Sequence, residues 1–163
     1  CYDNIKEAII MKYSGTLIAV TDMAKSIKFY HDVLKLDVIA DFGANVTLTG
    51  SIILQTLDTW KKLIQSDAVV LGNQAAELYF EESDMDGFLM HLQHQGVTYV
   101  HPPLEHSWGQ RVVRFYDLDK HIIEVGEDIV MVVKRFASNG MNPAQIAERM
   151  DVPLEFVKES LAK

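Results

Sequence analysis

The chain of 163 residues has the length of a single domain and can bury a substantial core. A formal net charge of −8 argues against nucleic acid as the main partner, because phosphate binding needs a concentrated basic face. No apolar run reaches the roughly 18 residues of a membrane span, so we expect no membrane partner. The single cysteine, Cys1, excludes an internal disulfide. Because the first ten residues also lack a signal-peptide pattern, we expect a cytoplasmic protein.

The first part of the chain predicts one strand, one helix and three further strands. Asp22 is suited to the N-cap of the helix, and Gly43 and Gly50 separate the later strands. The predicted elements are a strand from Tyr13 to Val20, a helix from Met23 to about Leu36, and strands at Asp37–Asp41, Asn45–Leu48 and Ser51–Leu57.

The second part repeats this order after an unmatched segment, Asp58 to Asn73, in which residues 59–63 form a short helix or a flap. Asp84 lies 62 positions after Asp22 and caps the second helix, which ends at Gly96. The other predicted elements are strands at Ala75–Glu82, Val97–Val100, Arg111–Tyr116 and His121–Gly126, a loop at His101-Pro102-Pro103, and a turn at Asp117–Lys120. The repeat predicts two packed copies with a cleft between them.

The remaining residues predict a helical appendage. Ile129 to Phe136 is one helix, Asn142-Pro143 opens a second that runs through Met150, and Leu154 to Leu161 is a third. The last two resemble a helix-turn-helix. However, the final helix begins with apolar and acidic residues, which suit docking better than DNA binding.

Three segments carry a resemblance to a known family. They are Val20-x-Asp22-x-x-x-Ser26-x-x-Phe29-Tyr30, then Trp108-Gly109-Gln110-Arg111, and Asp117-x-Asp119-x-x-x-Ile123-Glu124-Val125. The chain, over roughly residues 12 to 127, resembles the vicinal oxygen chelate superfamily of glyoxalase I, bleomycin-resistance proteins and extradiol dioxygenases. The resemblance implies an α+β fold of paired βαβββ modules that form a curved, partly closed sheet with a concave pocket. It also implies a homodimer. Leu118 and Lys120 replace the proline and glycine usual in the final turn.

The domain organisation that we predict combines this resemblance with the element pattern. It comprises an N-terminal extension at 1–10, a glyoxalase-like domain at 11–127 with units at about 13–57 and 75–127, and a helical appendage at 128–163.

The resemblance also implies where a metal site would lie. In metal-using relatives the ligands come from four equivalent places, which fall here on Gly15, Gln55, Glu77 and Glu124. Strand alternation places both glutamates on the cleft face, since Leu78 and Ile123 would face a helix.

Two interpretations of this site remain open. In the first, Glu77, Glu124 and Gln55 bind one Mg²⁺ or Mn²⁺ without an organic cofactor. The metal would stabilise an enediolate, and Glu77 or Glu124, if not bound to the metal, would act as the base. The protein would then be lactoylglutathione-lyase-like, or a related lyase, isomerase or dioxygenase. In the second, no metal binds, because Gly15 offers no side-chain ligand, Gln55 is a neutral and weaker ligand, and no histidine stands at any of the four places. The protein would then bind or sequester a small molecule, as bleomycin-resistance proteins do.

Four further residues are candidates for binding the small-molecule ligand: Trp108, Arg111, Tyr79 and Trp60. Trp108 could stack on a ligand or be a packed core residue, and Trp60 could be a flap residue or an ordinary anchor. Arg111 and Arg114, three positions apart in one strand, would lie on opposite faces of it. One of them could meet an anionic ligand, or both could form surface salt bridges.

Overall fold

A computed structural model describes residues 11–163, so the predicted extension at 1–10 lies outside the described residues. The chain forms eight strands and six helices in this part. The strands are β1 (Thr16–Val20), β2 (Val38–Asp41), β3 (Asn45–Leu48), β4 (Ile52–Thr56), β5 (Glu77–Glu82), β6 (Thr98–Glu105), β7 (Arg111–Tyr116) and β8 (Ile122–Glu127). The helices are α1 (Met23–Leu34), α2 (Leu57–Leu63), α3 (Met85–Gln95), α4 (Ile129–Ser138), α5 (Pro143–Met150) and α6 (Leu154–Ala162).

The strands form two four-stranded sheets with the same topology. The first sheet has the order β1-β4-β3-β2, and the second has the order β5-β8-β7-β6. In each sheet the first and last strands of the unit run parallel and the other neighbours run antiparallel. This shared order confirms the predicted α+β fold of two βαβββ units. The sheets are separate and neither is closed.

Equivalent caps begin the helices of the two units. The Asp22 carboxylate accepts a hydrogen bond from the Lys25 amide at 3.1 Å, and Asp84 accepts one from the Gly87 amide at 2.9 Å. Each bond satisfies a backbone N–H that has no partner inside its helix. The 62-residue repeat therefore reflects a repeated helix start. The second helix ends at Gly96, as predicted, in the left-handed conformation.

One hydrophobic core joins the two units. It contains Tyr30 and Leu54 from the first unit and Leu92, Phe115 and Ile123 from the second, all of them fully buried. Helices α1 and α3 pack against each other in this core. Because both units contribute, neither unit completes its core alone.

The turn between β7 and β8 ties the second unit to the first. The buried Tyr30 hydroxyl donates to Asp117 at 2.9 Å, and the Thr21 hydroxyl donates to Asp119 at 2.6 Å. Burial raises the pKa of Tyr30, and the Asp117 charge raises it further, so the phenol stays protonated as the donor. The aspartates of this turn therefore orient the units relative to each other.

The prediction of a loop at His101-Pro102-Pro103 was wrong, because β6 continues through these residues. The strand lies at the edge of its sheet, and its register with β7 shifts on both sides of His101. A proline lacks an N–H, but an irregular edge strand does not need that donor. The edge position, which the local sequence does not reveal, makes the two prolines compatible with a strand.

The last three helices have a small core of their own, which includes Val133, Phe136, Ile146 and Val157. As predicted, Asn142 begins α5, where its side chain forms a capping box with Gln145. Within the described residues, no helix has the length and apolar character needed to cross a membrane.

Candidate functional site

Glu77 and Glu124 lie on one face of the second sheet, opposite the hydrophobic core. Their strand neighbours Leu78 and Ile123 belong to that core, so the alternation of side chains directs both glutamates to the other face. Glu77 is exposed, whereas Glu124 is buried with 6% of its surface accessible. We call this side of the second sheet the acidic face; it also carries Tyr79 and Glu81 of β5.

Arg114 lies between the two glutamates on the acidic face. Its Nε donates to Glu77 at 2.9 Å, and its Nη2 forms an ion pair with Glu124. The backbone of Arg114 in β7 is the direct cross-strand partner of Glu124 in β8. Two unpaired carboxylates on this face would repel each other. Because both pair with the Arg114 guanidinium, its positive charge offsets that repulsion.

Two histidines extend this cluster. Nη1 of Arg114 donates to His101 Nε2 at 3.3 Å, and the other ring nitrogen of His101 donates to the Pro102 carbonyl at 2.7 Å. Burial lowers the pKa of His106, and the charge of Arg114 lowers it further. The neutral form of the His106 ring is therefore favoured.

Two exposed aromatic residues border the acidic face. Trp108 stacks on His106 with ring centroids 4.2 Å apart, and 39% of its surface is accessible. Tyr79 is 49% accessible, and its hydroxyl donates to Glu81 at 3.1 Å. Gln110 bonds to both aromatic residues at 3.3 Å and to the Glu127 carbonyl at 2.9 Å. These contacts hold the aromatic rings in place beside the carboxylates.

Gln55 lies in the first sheet and does not join the glutamates. Its side chain is buried, accepts from Asn45 at 2.8 Å and donates to Thr59 in α2. Within residues 11–163, no hydrogen bond links it to Glu77 or Glu124. The acceptor for the Gln55 amide group is Thr59 of helix α2, which lies outside the repeat.

Gly15 cannot supply a side-chain ligand. A Cβ at this position would lie 2.4 Å from the Ser51 backbone oxygen, which is closer than real contacts allow. The glycine therefore permits a close backbone approach beside β1.

Trp60 and Arg111 occupy other places than the acidic face. Trp60 borders a separate cavity beside β1. Arg111 lies on the opposite face of its strand from Arg114, as the spacing predicted, and pairs with Glu127 and Asp86. The arginine beside the two glutamates is Arg114, which the sequence distinguished from Arg111 only by strand parity.

The arrangement does not fit a divalent cation. Arg114 places a positive charge where a metal would need free carboxylate oxygens, and Gln55 and Gly15 contribute no ligand there. In the part of the chain that the structure describes, no group of three or more His, Cys, Asp or Glu side chains could hold a metal ion. A hard cation needs several oxygen ligands, and this cluster offers two carboxylates that are already paired.

We expect an NMR titration of the His106 ring to give a midpoint below the ordinary 6.5. Because the folded pKa is lowered, the unfolded chain binds the proton more readily. His106 therefore favours the folded state fully above pH 6.5, and this contribution falls as the pH drops below that value. In a His106→Gln variant this part of the pH dependence of unfolding should disappear. A midpoint at or above 6.5 would contradict the described packing.

Comparison with known proteins agrees with this architecture. Residues 13–130 match the glyoxalase-like domain family. A crystal structure of a protein of unknown function from Agrobacterium tumefaciens str. C58 is 33% identical, covers 73% of this chain and 95% of its own, and has a TM-score of 0.67. No curated protein is significantly similar to the chain.

More distant structures share the fold. A glyoxalase/bleomycin resistance protein/dioxygenase from Nocardioides is 15% identical over 74% of this chain and 86% of its own, with a TM-score of 0.60. A glyoxalase/bleomycin resistance protein/dioxygenase family enzyme from Burkholderia phytofirmans PsJN is 17% identical over 70% and 96%, also with a TM-score of 0.60. With two units of identical topology and a family match over most of its length, the chain belongs to the glyoxalase-like domain family of the vicinal oxygen chelate superfamily.

Proposed function

We propose that the protein binds a small cationic aromatic molecule on the acidic face, without a metal and without chemical conversion. The observation that carries this proposal is the shared ion pair of Arg114 with Glu77 and Glu124. It occupies the groups that a metal-dependent lyase, isomerase or dioxygenase would use as ligand and base. The function is then closest to the sequestering role of bleomycin-resistance proteins.

The charge of the acidic face supports a cationic ligand. Three carboxylates, on Glu77, Glu81 and Glu124, stand against the guanidinium of Arg114, which leaves two net negative charges. The Glu77 side chain is 37% accessible, so its outer oxygen can meet a ligand. An electrostatic contact at such a half-exposed site is worth about 1 kcal/mol, which is about fivefold in affinity.

The aromatic border supports a flat ligand. Trp108 and Tyr79 expose ring surface beside the carboxylates. A cation over a tryptophan ring gains about 0.5–1 kcal/mol at an exposed site. A ligand that combines a positive charge with an aromatic ring would use both features of the face.

The test is calorimetric titration with N-methylquinolinium, a cationic aromatic probe, with neutral quinoline as its matched control. In the presence of EDTA, we expect the cation to bind more tightly than quinoline. Glu77→Gln and Trp108→Leu should each weaken cation binding about fivefold, since each removes about 1 kcal/mol. Glu155→Gln, which changes an exposed carboxylate on α6, should leave it unchanged. Equal binding of the two probes, or cation binding that requires added Mn²⁺, would overturn the proposal.

A further inference from the structure

We propose a second ligand site, for a small organic anion with a flat apolar body, in a cavity beside β1. The cavity has a volume of about 360 Å³. Its walls are β1, Trp60 of α2, the segment from Ile64 to Ala76, and the start of β8 with the turn before it. This volume lies within the range of small-molecule sites.

The charge of the cavity distinguishes it from the rest of the protein. The chain is acidic, with a formal net charge of −8, yet no acidic residue of the described range 11–163 lines this cavity. Lys120 is the one cationic side chain among its lining residues, beside His121, Asn73 and Gln74. Among residues 11–163, Lys120 forms no ion pair, and its ammonium lies 5.3 Å from the centre of the Tyr116 ring. An anion entering the cavity would meet an ammonium that pairs with no carboxylate of residues 11–163.

The backbone at Lys120 argues that its side chain has a role. Its φ is +70°, in the left-handed region where glycine is the favoured residue. Across the cavity wall, Gly72 leaves room for it: a Cβ at Gly72 would lie 3.0 Å from the Lys120 Cβ. Lys120 therefore adopts a backbone conformation that favours glycine, and it packs against Gly72. The turn itself does not require a lysine, which points to a role for the side chain in a contact.

The apolar walls define the other half of the ligand. Leu17, Ala19 and Ile122 contribute aliphatic surface, and the half-buried Trp60 contributes an aromatic ring. Because Trp60 and Lys120 line the same cavity, a ligand could stack on the ring while its anionic group meets the ammonium. The ligand class is therefore an aromatic or otherwise flat carboxylate, sulfonate or phosphate.

The experiment uses the full chain with the substitution Trp108→Phe, which leaves Trp60 as the only tryptophan. The probe is 8-anilinonaphthalene-1-sulfonate, and the readout is energy transfer from Trp60 to the bound dye. We expect saturable binding of one dye per chain. Lys120→Gly should weaken it about fivefold, which is the effect of losing one exposed charge contact.

Two controls are needed. The first shows whether a loss of dye binding is caused by a loss of folding, and the second shows whether it is caused by the charge of Lys120 or by the shape of the cavity. Glycine fits the left-handed conformation, so Lys120→Gly should melt at or above the temperature of the parent protein. The neutral dye N-phenyl-1-naphthylamine should bind the parent and Lys120→Gly equally, and Lys62→Gln should leave both dyes unaffected. The proposal is overturned if the anionic dye binds Lys120→Gly within twofold of the parent, or if both dyes lose affinity together.

Discussion

Replacing Glu127 by glutamine should destabilise the protein by about 3 kcal/mol, because it breaks a buried charge cluster. Glu127 is 2% accessible and accepts hydrogen bonds at 2.8 to 3.1 Å from the guanidinium groups of Arg111 and Arg135. Arg111 belongs to β7 and Arg135 to α4. The carboxylate therefore joins the second sheet to the C-terminal helices, and its loss leaves two arginines with too few acceptors.

Denaturant unfolding measures this effect, with Glu105→Gln as the matched control. Glu105 also pairs with Arg135, but at 3.5 Å and with 41% of its side chain accessible. A surface pair of this kind contributes at most about 1 kcal/mol. If the two variants lose similar amounts of stability, the Glu127 cluster is not the connection described here.

The same cluster gives the protein a defined response to acid. Burial alone would raise the pKa of Glu127, but the hydrogen bonds and charges of Arg111 and Arg135 hold it below its ordinary 4.5. A lowered pKa in the folded state means that the unfolded chain protonates first. The stability from Glu127 is therefore complete above pH 4.5 and is lost as the pH falls through the folded pKa. Unfolding of Glu127→Gln should lack this loss.

The frame of the fold could be predicted from the sequence because it depends on local signals. Asp22 and Asp84 cap equivalent helices, and the alternation of Leu78 and Ile123 with polar residues fixes which way Glu77 and Glu124 point. The cap signal occurs in both units, so two copies support the predicted helix starts.

The content of the site could not be predicted in the same way, because it depends on contacts between distant residues. Arg114 is 37 positions from Glu77 in the sequence. The alternation of side chains along β7 predicts which face of the sheet Arg114 lies on, but it does not predict which residues Arg114 contacts. Gln55 is occupied by Thr59 of α2, an element with no counterpart in the repeat. Gly15 lies against the backbone of Ser51, which only the pairing of β1 with β4 brings close.

Replacing Arg114 by methionine should also cost about 3 kcal/mol, because it leaves the buried Glu124 without its cation and beside Glu77. Methionine keeps much of the side-chain length, so the loss of stability reports mainly on the missing charge and less on changed packing. Arg149→Met is the control, since among residues 11–163 Arg149 has one ion pair, with Glu105 at 3.8 Å, and half of its side chain is accessible. Adding Glu124→Gln to Arg114→Met should recover part of the stability, which a double-mutant cycle measures.

Arg114→Met also decides whether the arginine excludes a metal. Without the guanidinium, Glu77 and Glu124 are two carboxylates without a cation, and carboxylate oxygens are ligands that Mn²⁺ prefers. Millimolar Mn²⁺ should then raise the melting temperature of Arg114→Met, because a ligand that binds only the folded state stabilises it. It should not raise that of the parent protein or of Arg114→Met with Glu124→Gln. An equal rise in the parent protein would mean that the native donors do bind the cation, and that Arg114 moves aside to admit it. The metal-dependent interpretation of the site would then regain its basis, and the arginine would be a regulator of access instead of a permanent replacement for the metal.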